Sequence, residues 1–223
     1  MVNNLRLGMK SLRYSYGWKR TMVCMALLTV PGVVMAVAGP HFKLGIFSGF
    51  ILVIEAIFPM QLLASLGVSN MLQASPLKKK MQTSVPALFC TFCMTAVFLL
   101  SLLICGIRVM GEPAEIQAVC EEIIQYALWM ACVMMYLAVT YKYFLVATIF
   151  FLAVNTNLWS GYLGSRFVNF SALEGVAAPF LAAAALGLGI IAAGGILEYL
   201  LSLLVYKAPM SKQAQSASLR REL

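Results

Sequence analysis

Apolar residues fill six long stretches of the chain, and most of the charged residues lie between them. A helix needs about 20 consecutive apolar residues to cross the hydrocarbon core of a bilayer. The pattern therefore predicts an all-α, polytopic membrane protein with six transmembrane helices. The predicted spans are residues 21–39, 44–66, 85–107, 123–140, 141–159 and 179–206.

The fourth and fifth stretches follow each other without a polar gap. Residues 123–154 form an apolar run of 32 residues, and a single helix of that length would measure about 48 Å. The hydrocarbon core is only about 30 Å thick. We therefore expect a break at Tyr141, Lys142 and Tyr143, because two amphipathic tyrosines beside a lysine suit a membrane surface.

Composition agrees with a lipid-covered protein. Hydrophobic residues make up 62% of the chain and charged residues 11%, whereas soluble domains contain roughly 25% charged residues. The net charge of +8 is explained by membrane topology and contact with anionic lipid, so we expect the bilayer, and no nucleic acid, as a partner.

The basic residues are distributed unevenly between the two sides of the predicted bundle. Thirteen fall on the side of the two termini and three on the other. Because cytoplasmic loops are enriched in Lys and Arg, this predicts a multi-pass protein of the cell membrane with both termini in the cytoplasm. Ala36, Val37 and Ala38, near the end of the first stretch, suggest a cleaved signal peptide as an alternative to a first span. The segment before that stretch is too long for the leader of a signal peptide.

The first 20 residues predict an amphipathic helix in the headgroup plane, with an elbow at Gly17 and Trp18. An unstructured basic leader is the alternative. The domain division is then an interfacial helix at 1–20, a transmembrane domain at 21–206 and a basic cytoplasmic tail at 207–223. The apolar residues at helical spacing are Leu5, Met9, Leu12 and Tyr16, and the adjacent stripe of Arg6, Lys10 and Arg13 is expected to face anionic lipid.

The segment between the second and third spans is longer than a turn requires. Ser69 and Asn70 can cap a short helix with an apolar face, and a proline-led basic run follows. The segment is either a docking element for a cytoplasmic partner or a plain positive-inside loop. Its candidate docking residues are Asn70, Met71, Leu72, Ser75, Pro76 and Lys78.

Residues 155–178, between the last two spans, are too apolar for an ordinary loop and too short to cross twice. Irregular backbone at membrane depth is tolerated where it is buried in protein or lines a cavity. We therefore expect a re-entrant external segment whose gate residues are Trp159, Tyr162 and Phe167. An amphipathic surface hairpin is the alternative.

Enzymatic parts are absent from the sequence. The single histidine, His41, lies in a short predicted loop, and no phosphate-binding Gly-Lys-Ser/Thr loop occurs. Cys90 and Cys93 have CxxC spacing but lie within the third span, where we interpret them as small packing residues. Residues 110–122 are expected to form a solvated acidic loop that contains Cys120 and no metal site. We predict no enzymatic activity, no cofactor and no disulfide framework.

Two acidic residues fall within predicted spans, where charge is costly and usually functional. Glu55 lies deep in the second span with Pro59 one turn on, which favours a role in a pathway or in gating. Glu198 lies near the cytoplasmic end of the sixth span, where an interhelical hydrogen bond is the alternative to function. Four glycines of the sixth span permit close helix packing: Gly187, Gly189, Gly194 and Gly195.

The layout resembles the six-helix permease subunits of type-2 ABC exporters. The resemblance rests on the N-terminal helix, the segment at 67–80 in the place of a coupling helix, the external segment at 155–178, and the run Gln73-Ala74-Ser75-Pro76-Leu77-Lys78. It implies a second permease subunit, a cytoplasmic ATP-binding subunit that holds ATP and Mg²⁺ and docks on the coupling helix, and outward movement of a peptide, drug or lipid.

Two other functions fit a chain of this kind. The membrane-embedded substrate-capture subunit of a vitamin importer also has six spans and about this length, but it has no need of a long basic segment. An intramembrane peptidase or a thiol enzyme would need a histidine and an acidic cluster at its active site, and the predicted spans contain neither. The sequence does not identify the substrate.

Overall fold

The computed structural model describes residues 2–15, 17–38, 47–140, 142–159 and 177–209. Every regular element in these ranges is helical, which confirms the all-α prediction. A 3₁₀ turn, Pro113–Glu115, lies between the sixth and seventh helices. The helices are α1 Val2–Leu12, α2 Trp18–Ala38, α3 Phe47–Val68, α4 Asn70–Gln73, α5 Lys78–Gln82, α6 Ser84–Gly111, α7 Ile116–Thr140, α8 Phe144–Trp159 and α9 Ala177–Val205.

The long helices lie where the apolar stretches predicted them. Within the described ranges, four segments are long and apolar enough to cross a membrane, as in a membrane protein: Trp18–Val37, Lys78–Gly111, Pro113–Thr140 and Ala177–Val205. Of the other two predicted spans, α3 has 22 residues, a length of about 33 Å. The helix α8 has 16 residues, which is about 24 Å.

The predicted break between the fourth and fifth stretches is confirmed. The helix α7 ends at Thr140 and α8 begins at Phe144. The N–H groups of Lys142 and Tyr143 both donate to the Val139 carbonyl, at 3.0 and 2.9 Å. These bonds close the last turn of α7 before the chain reverses, so two helices replace one that would be too long for a bilayer.

Helix α7 lies at the centre of the bundle, where it packs against α9, α6, α8 and α3. Its buried side chains, together with Met94 and Phe98 of α6, form half of the main core cluster. The outward faces of α2, α6, α8 and α9 carry exposed apolar side chains, such as Leu27, Leu103 and Phe150. A surface this apolar is unfavourable in water and is covered favourably by lipid.

Contacts between helix ends define two opposite ends of the bundle. The Lys142 Nζ donates to the carbonyl of Ala208, 2.6 Å away, so the end of α7 meets the end of α9. Arg20, at the start of α2, lines a groove with Gln61 and Leu62 of α3. We call this end the basic end. Its described basic residues are Arg6, Lys10, Arg13, Lys19, Arg20, Lys78, Lys79, Lys80, Lys142 and Lys207.

The opposite end carries the acidic residues, and we call it the acidic end. It contains the end of α6, the 3₁₀ turn and the start of α7. Phe180, near the start of α9, lies beside Gly106, near the end of α6. The helices α6 and α9 are therefore antiparallel, and α7 and α9 are parallel.

Small residues of α9 bring the three central helices into close contact. A Cβ on Gly194 would lie 2.9 Å from the Ala131 Cβ of α7. Gly187 lies directly against Phe98 of α6, and Gly195 lies directly against Thr91. The predicted close packing is confirmed at these three glycines, whereas Gly189 faces open space.

The N-terminal helix is shorter than predicted and has a different buried face. It ends at Leu12, and the predicted elbow is confirmed: Gly17 has φ = +77°, a conformation that glycine adopts without strain, and α2 begins at Trp18. Gly8 faces Val85 of α6, and Leu12 is buried in the core. Met9 was predicted on the same face as Leu12, but it is exposed; Tyr16 lies outside the described residues.

Candidate functional site

Two parts of the basic end carry chemistry: the segment 69–82, which we call the basic platform, and a narrow cavity beside Glu198. The platform is fixed to the end of α3 by the Gly67 carbonyl. Gln73 Nε2 donates to this oxygen at 2.6 Å, and Gln82 Nε2 donates to it at 2.8 Å. A helix C-terminus leaves carbonyls without intrahelical donors, and the two glutamines supply donors from α4 and α5.

The platform contains the predicted short helix. The Leu72 N–H donates to Ser69 Oγ at 3.4 Å, so Ser69 caps α4 in the manner of an N-cap. The Ser75 hydroxyl accepts the Leu77 N–H at 3.2 Å and shapes the turn into α5. The result is two short helices joined by a turn at Pro76.

The proposed docking residues differ in exposure. Leu72, which was predicted to supply the apolar face of the short helix, is partly buried and packs against the core. Leu77 is instead 42% exposed, next to exposed Pro76, and Ser75 and Lys78 are half-buried. The backbone of Asn70 and Met71 belongs to α4, and their side chains lie outside the described part of the chain.

Lys142 links the turn between α7 and α8 to the end of α9. Its Nζ donates to the Ala208 carbonyl at 2.6 Å and to the Tyr206 carbonyl at 3.4 Å. Burial, with a smaller contribution from Lys78, lowers the pKa of Lys142 below the usual lysine value. The sequence predicted a lysine at a membrane surface, whereas the side chain is buried and serves the packing of two helix ends.

Glu55 is buried between α2 and α3, and 7% of it is exposed. The Thr29 hydroxyl lies 3.3 Å from Glu55 Oε2 and 2.9 Å from the Met25 carbonyl. A hydroxyl has one proton to donate. When Thr29 donates to the closer carbonyl one turn back, the contact with Glu55 is a hydrogen bond only if Glu55 donates, which requires the neutral carboxylic acid.

Pro59 gives the same region of α3 a second special feature. It lacks an N–H, so the carbonyl of Glu55, four residues earlier, receives no helical hydrogen bond from it. The helix nevertheless continues through Phe47–Val68. Glu55 Oε1 also has no hydrogen-bond partner among the described residues. The gating role of Glu55 stays a prediction.

Glu198 lies in the most buried part of the bundle, and 2% of it is exposed. The Cys90 thiol of α6 hydrogen-bonds with the Glu198 carboxyl group. Glu198 Oε2 has no hydrogen-bond partner among the described residues. The sequence identified Glu198, but Cys90 was interpreted as a packing residue with no polar role.

A cavity of about 30 Å³ lies beside Glu198. Residues from five helices line it: Met60 and Leu63 of α3, Gln82 of α5, Pro86 of α6, Leu137 of α7 and Ser202 of α9. Gln82 and Ser202 are buried polar residues, and neither was singled out in the sequence. Ser202 lies one helical turn after Glu198, a spacing that places both on one face of α9.

The acidic end differs from the predicted solvated loop. Residues 110–122 comprise the end of α6, the 3₁₀ turn and the first turns of α7, and Cys120 is buried in α7 rather than in a loop. Arg108 Nη1 donates to Glu122 Oε2 at 2.7 Å, and Arg108 Nη2 lies 3.6 Å from Glu115 Oε2. The pair between Arg108 and Glu122 ties α6 to α7.

The predicted external gate is mostly outside the described residues. Tyr162 and Phe167 lie there, as do all residues from 160 to 176. The helix α8 continues through Trp159, where the predicted fifth span also ends, and the Trp159 side chain is not described. Residues 177 and 178 belong to α9.

The described side chains contain no group of three or more His, Cys, Asp and Glu residues that could hold a metal ion. The six cysteines are free thiols. Two carboxyl groups, those of Glu55 and Glu198, are buried within the described helices.

Comparisons with known proteins leave the chain without an assigned family. No protein-family model matches it, and neither a curated protein nor a solved structure matches it.

Proposed function

We propose that this chain is the permease subunit of an ATP-binding cassette exporter, which moves a hydrophobic or amphipathic peptide, drug or lipid outward. The observation that carries the proposal is the basic platform. It is a folded element between α3 and α6 that is bonded to the bundle through Gly67 and presents Leu77, Lys79 and Lys80 to the surroundings. A transport subunit without nucleotide-binding motifs needs such a surface to receive work from a separate ATPase.

Six membrane crossings agree with the positions of the helix ends. The helix α2 starts at the basic end and α3 returns to it; α6 starts there and α7 returns. The chain is again at the basic end at Lys142 and at the acidic end at Phe180, so it crosses an odd number of times between them. Tyr136 and Phe151 have ring centroids 4.7 Å apart, and Val139 and Ala147 line the same cavity, which supports a helix α8 that runs antiparallel to α7 as one of the proposed crossings.

The proposed partners follow from this arrangement. A cytoplasmic ATP-binding subunit, which binds ATP and Mg²⁺, docks on the basic platform, and a second permease subunit of the same or a related sequence completes the pathway. The basic end is then the cytoplasmic side, in agreement with the enrichment of basic residues in cytoplasmic loops.

Cysteine labelling tests this orientation. In a cysteine-free background, we expect single cysteines at Lys79 and Tyr143 to resist a membrane-impermeant maleimide in intact cells and to react after permeabilisation. A cysteine at Glu112, which is exposed at the acidic end, should react in intact cells. Position 142 is unsuitable as a probe because its side chain is buried. Labelling of Lys79 or Tyr143 positions in intact cells would contradict the proposed orientation.

Docking of the ATPase is tested at Leu77. We expect Leu77→Glu to reduce co-purification of an ATP-hydrolysing subunit with the tagged chain about tenfold. A tenfold loss of affinity corresponds to ~1.4 kcal/mol, and a charge buried at the centre of an interface costs at least that much. The control is Met9→Glu, because Met9 is an exposed apolar residue of α1, 56% exposed, outside the platform.

Two results would contradict the docking proposal. If Leu77→Glu and Met9→Glu retained the ATPase equally well, the platform would not be the docking surface. If no ATP-hydrolysing protein co-purified with the unaltered chain from its native membrane, the exporter proposal itself would fail.

A further inference from the structure

We propose that Glu198 and the cavity beside it form a buried proton-binding site, in which Glu198 is a neutral carboxylic acid that holds a water molecule. The site is formed by described residues within one chain, and the proposal does not depend on the exporter function. It is carried by three observations: the burial of Glu198, the surroundings of its carboxyl group, and the size and lining of the cavity.

The surroundings of Glu198 contain no described basic side chain to balance a negative charge. The helix α6 presents Cys90, with Cys93 beyond it; α7 presents Leu137 and Ala138; and α5 presents Gln82. An isolated ionised carboxylate is strongly unfavourable in such surroundings, and a group in this position normally takes up a proton instead.

Lys142, a buried basic residue at the same end, is already bound elsewhere. Lys142 donates to the carbonyls of Tyr206 and Ala208, at least one helical turn beyond Ser202, and Lys78 lies on the side of Lys142. Glu198 is thus separated from the charges of the basic end, and the neutral acid is the form that its position stabilises.

Proton counting shows how the neutral acid completes its hydrogen bonds. A thiol has one proton to donate, and the Cys90 thiol bonds with the carboxyl group. Glu198 Oε2 remains without a partner among the described residues. Glu198 lines the cavity, so its carboxylic acid group can donate to a water there, and a buried water needs two to four polar partners.

The cavity has the size and the polar lining for that water. A cavity must have a volume of at least about 10–15 Å³ to hold one water molecule, and this cavity has about 30 Å³. Ser202 and Gln82 line it with polar groups, and Gly67 lines it toward the basic platform. Glu198 can therefore hold a proton, and the polar groups that line the cavity extend from Glu198 toward the basic end.

Infrared difference spectroscopy of the full chain in lipid nanodiscs tests the proposal. Subtracting the spectrum of Glu198→Gln from that of the unaltered protein at neutral pH should leave the C=O stretching band of a protonated carboxylic acid. The band should shift in D₂O as the acid proton exchanges. The control Glu122→Gln should leave no acid band, because Glu122 is paired with Arg108.

Two further variants keep the assignment testable if Glu198→Gln does not fold. Cys90→Ala should shift the frequency of the acid band without removing it, because one hydrogen bond to the carboxyl group is lost. Ser202→Ala should shift it too, by removing a polar neighbour of the water. Unchanged frequencies in both variants would contradict the proposed surroundings of the acid.

A carboxylate band in place of the acid band at neutral pH would overturn the proposal. Loss of the acid band on addition of Na⁺ would also overturn it, because the site would then hold a metal cation rather than a proton. Neither result involves ATP hydrolysis or transport, so the outcome is separate from that of the exporter tests.

Discussion

Gly194→Ala is expected to destabilise the bundle by about 1–3 kcal/mol, the usual cost of overpacking a well-packed interior. The added methyl group would lie 2.9 Å from the Ala131 Cβ and 3.1 Å from the Ala131 Cα of α7. Neither atom is at the end of a flexible side chain, so relief requires α7 and α9 to separate. Thermal or denaturant unfolding of the purified protein in detergent measures the change.

Gly189→Ala is the matched control, because it makes the same chemical change in the same helix. A Cβ on Gly189 meets nothing within 4 Å. In a helix interior alanine is favoured over glycine by roughly 0.5–1 kcal/mol, so this variant should be unchanged or slightly stabilised. Equal effects of the two substitutions would show that α9 does not pack as closely on α7 at Gly194 as the structure places it.

The positions of the long helices were predictable because membrane crossing leaves a strong signal in sequence. Apolar runs near bilayer length can be recognised without knowledge of their partners. Length alone required a break in the run at 123–154, and the two tyrosines beside Lys142 gave its position. The same reasoning fails at helix ends. At the acidic end, residues such as Glu121 and Glu122 look like a solvated loop by composition, yet they continue α7 because Arg108 of α6 neutralises Glu122.

The candidate site was only partly predictable, because a side chain's role depends on contacts that are remote in sequence. Glu198 stands out as a charge in an apolar helix, whereas Cys90 and Gln82 acquire their roles from α9, more than 100 residues away. Leu72 illustrates the same limit. Its apolar character predicted a buried face but did not determine whether the protein's own core or a partner covers it, and the core does.

The pair between Arg108 and Glu122 should be the strongest single tie at the acidic end. The side chains are 14% and 15% exposed, and Arg108→Leu leaves the Glu122 carboxylate nearly buried with no partner in the pair. Removing one partner of a fully buried ion pair costs about 3–5 kcal/mol. Since both groups retain some contact with water, we expect a loss of about 2–3 kcal/mol in unfolding free energy.

A double substitution distinguishes the lost pair from simple loss of packing. Replacing both residues by leucine removes the buried charge together with its partner, and such replacements are often neutral or stabilising. The double variant should therefore be more stable than Arg108→Leu alone. The control is Glu115→Gln: Glu115 contacts the same arginine at 3.6 Å and is 46% exposed, so its loss should cost less than about 1 kcal/mol. If Arg108→Leu and the double variant unfold at the same denaturant concentration, the carboxylate at Glu122 finds water when its arginine is removed, and the acidic end is held by the packing of α6 on α7 rather than by charge.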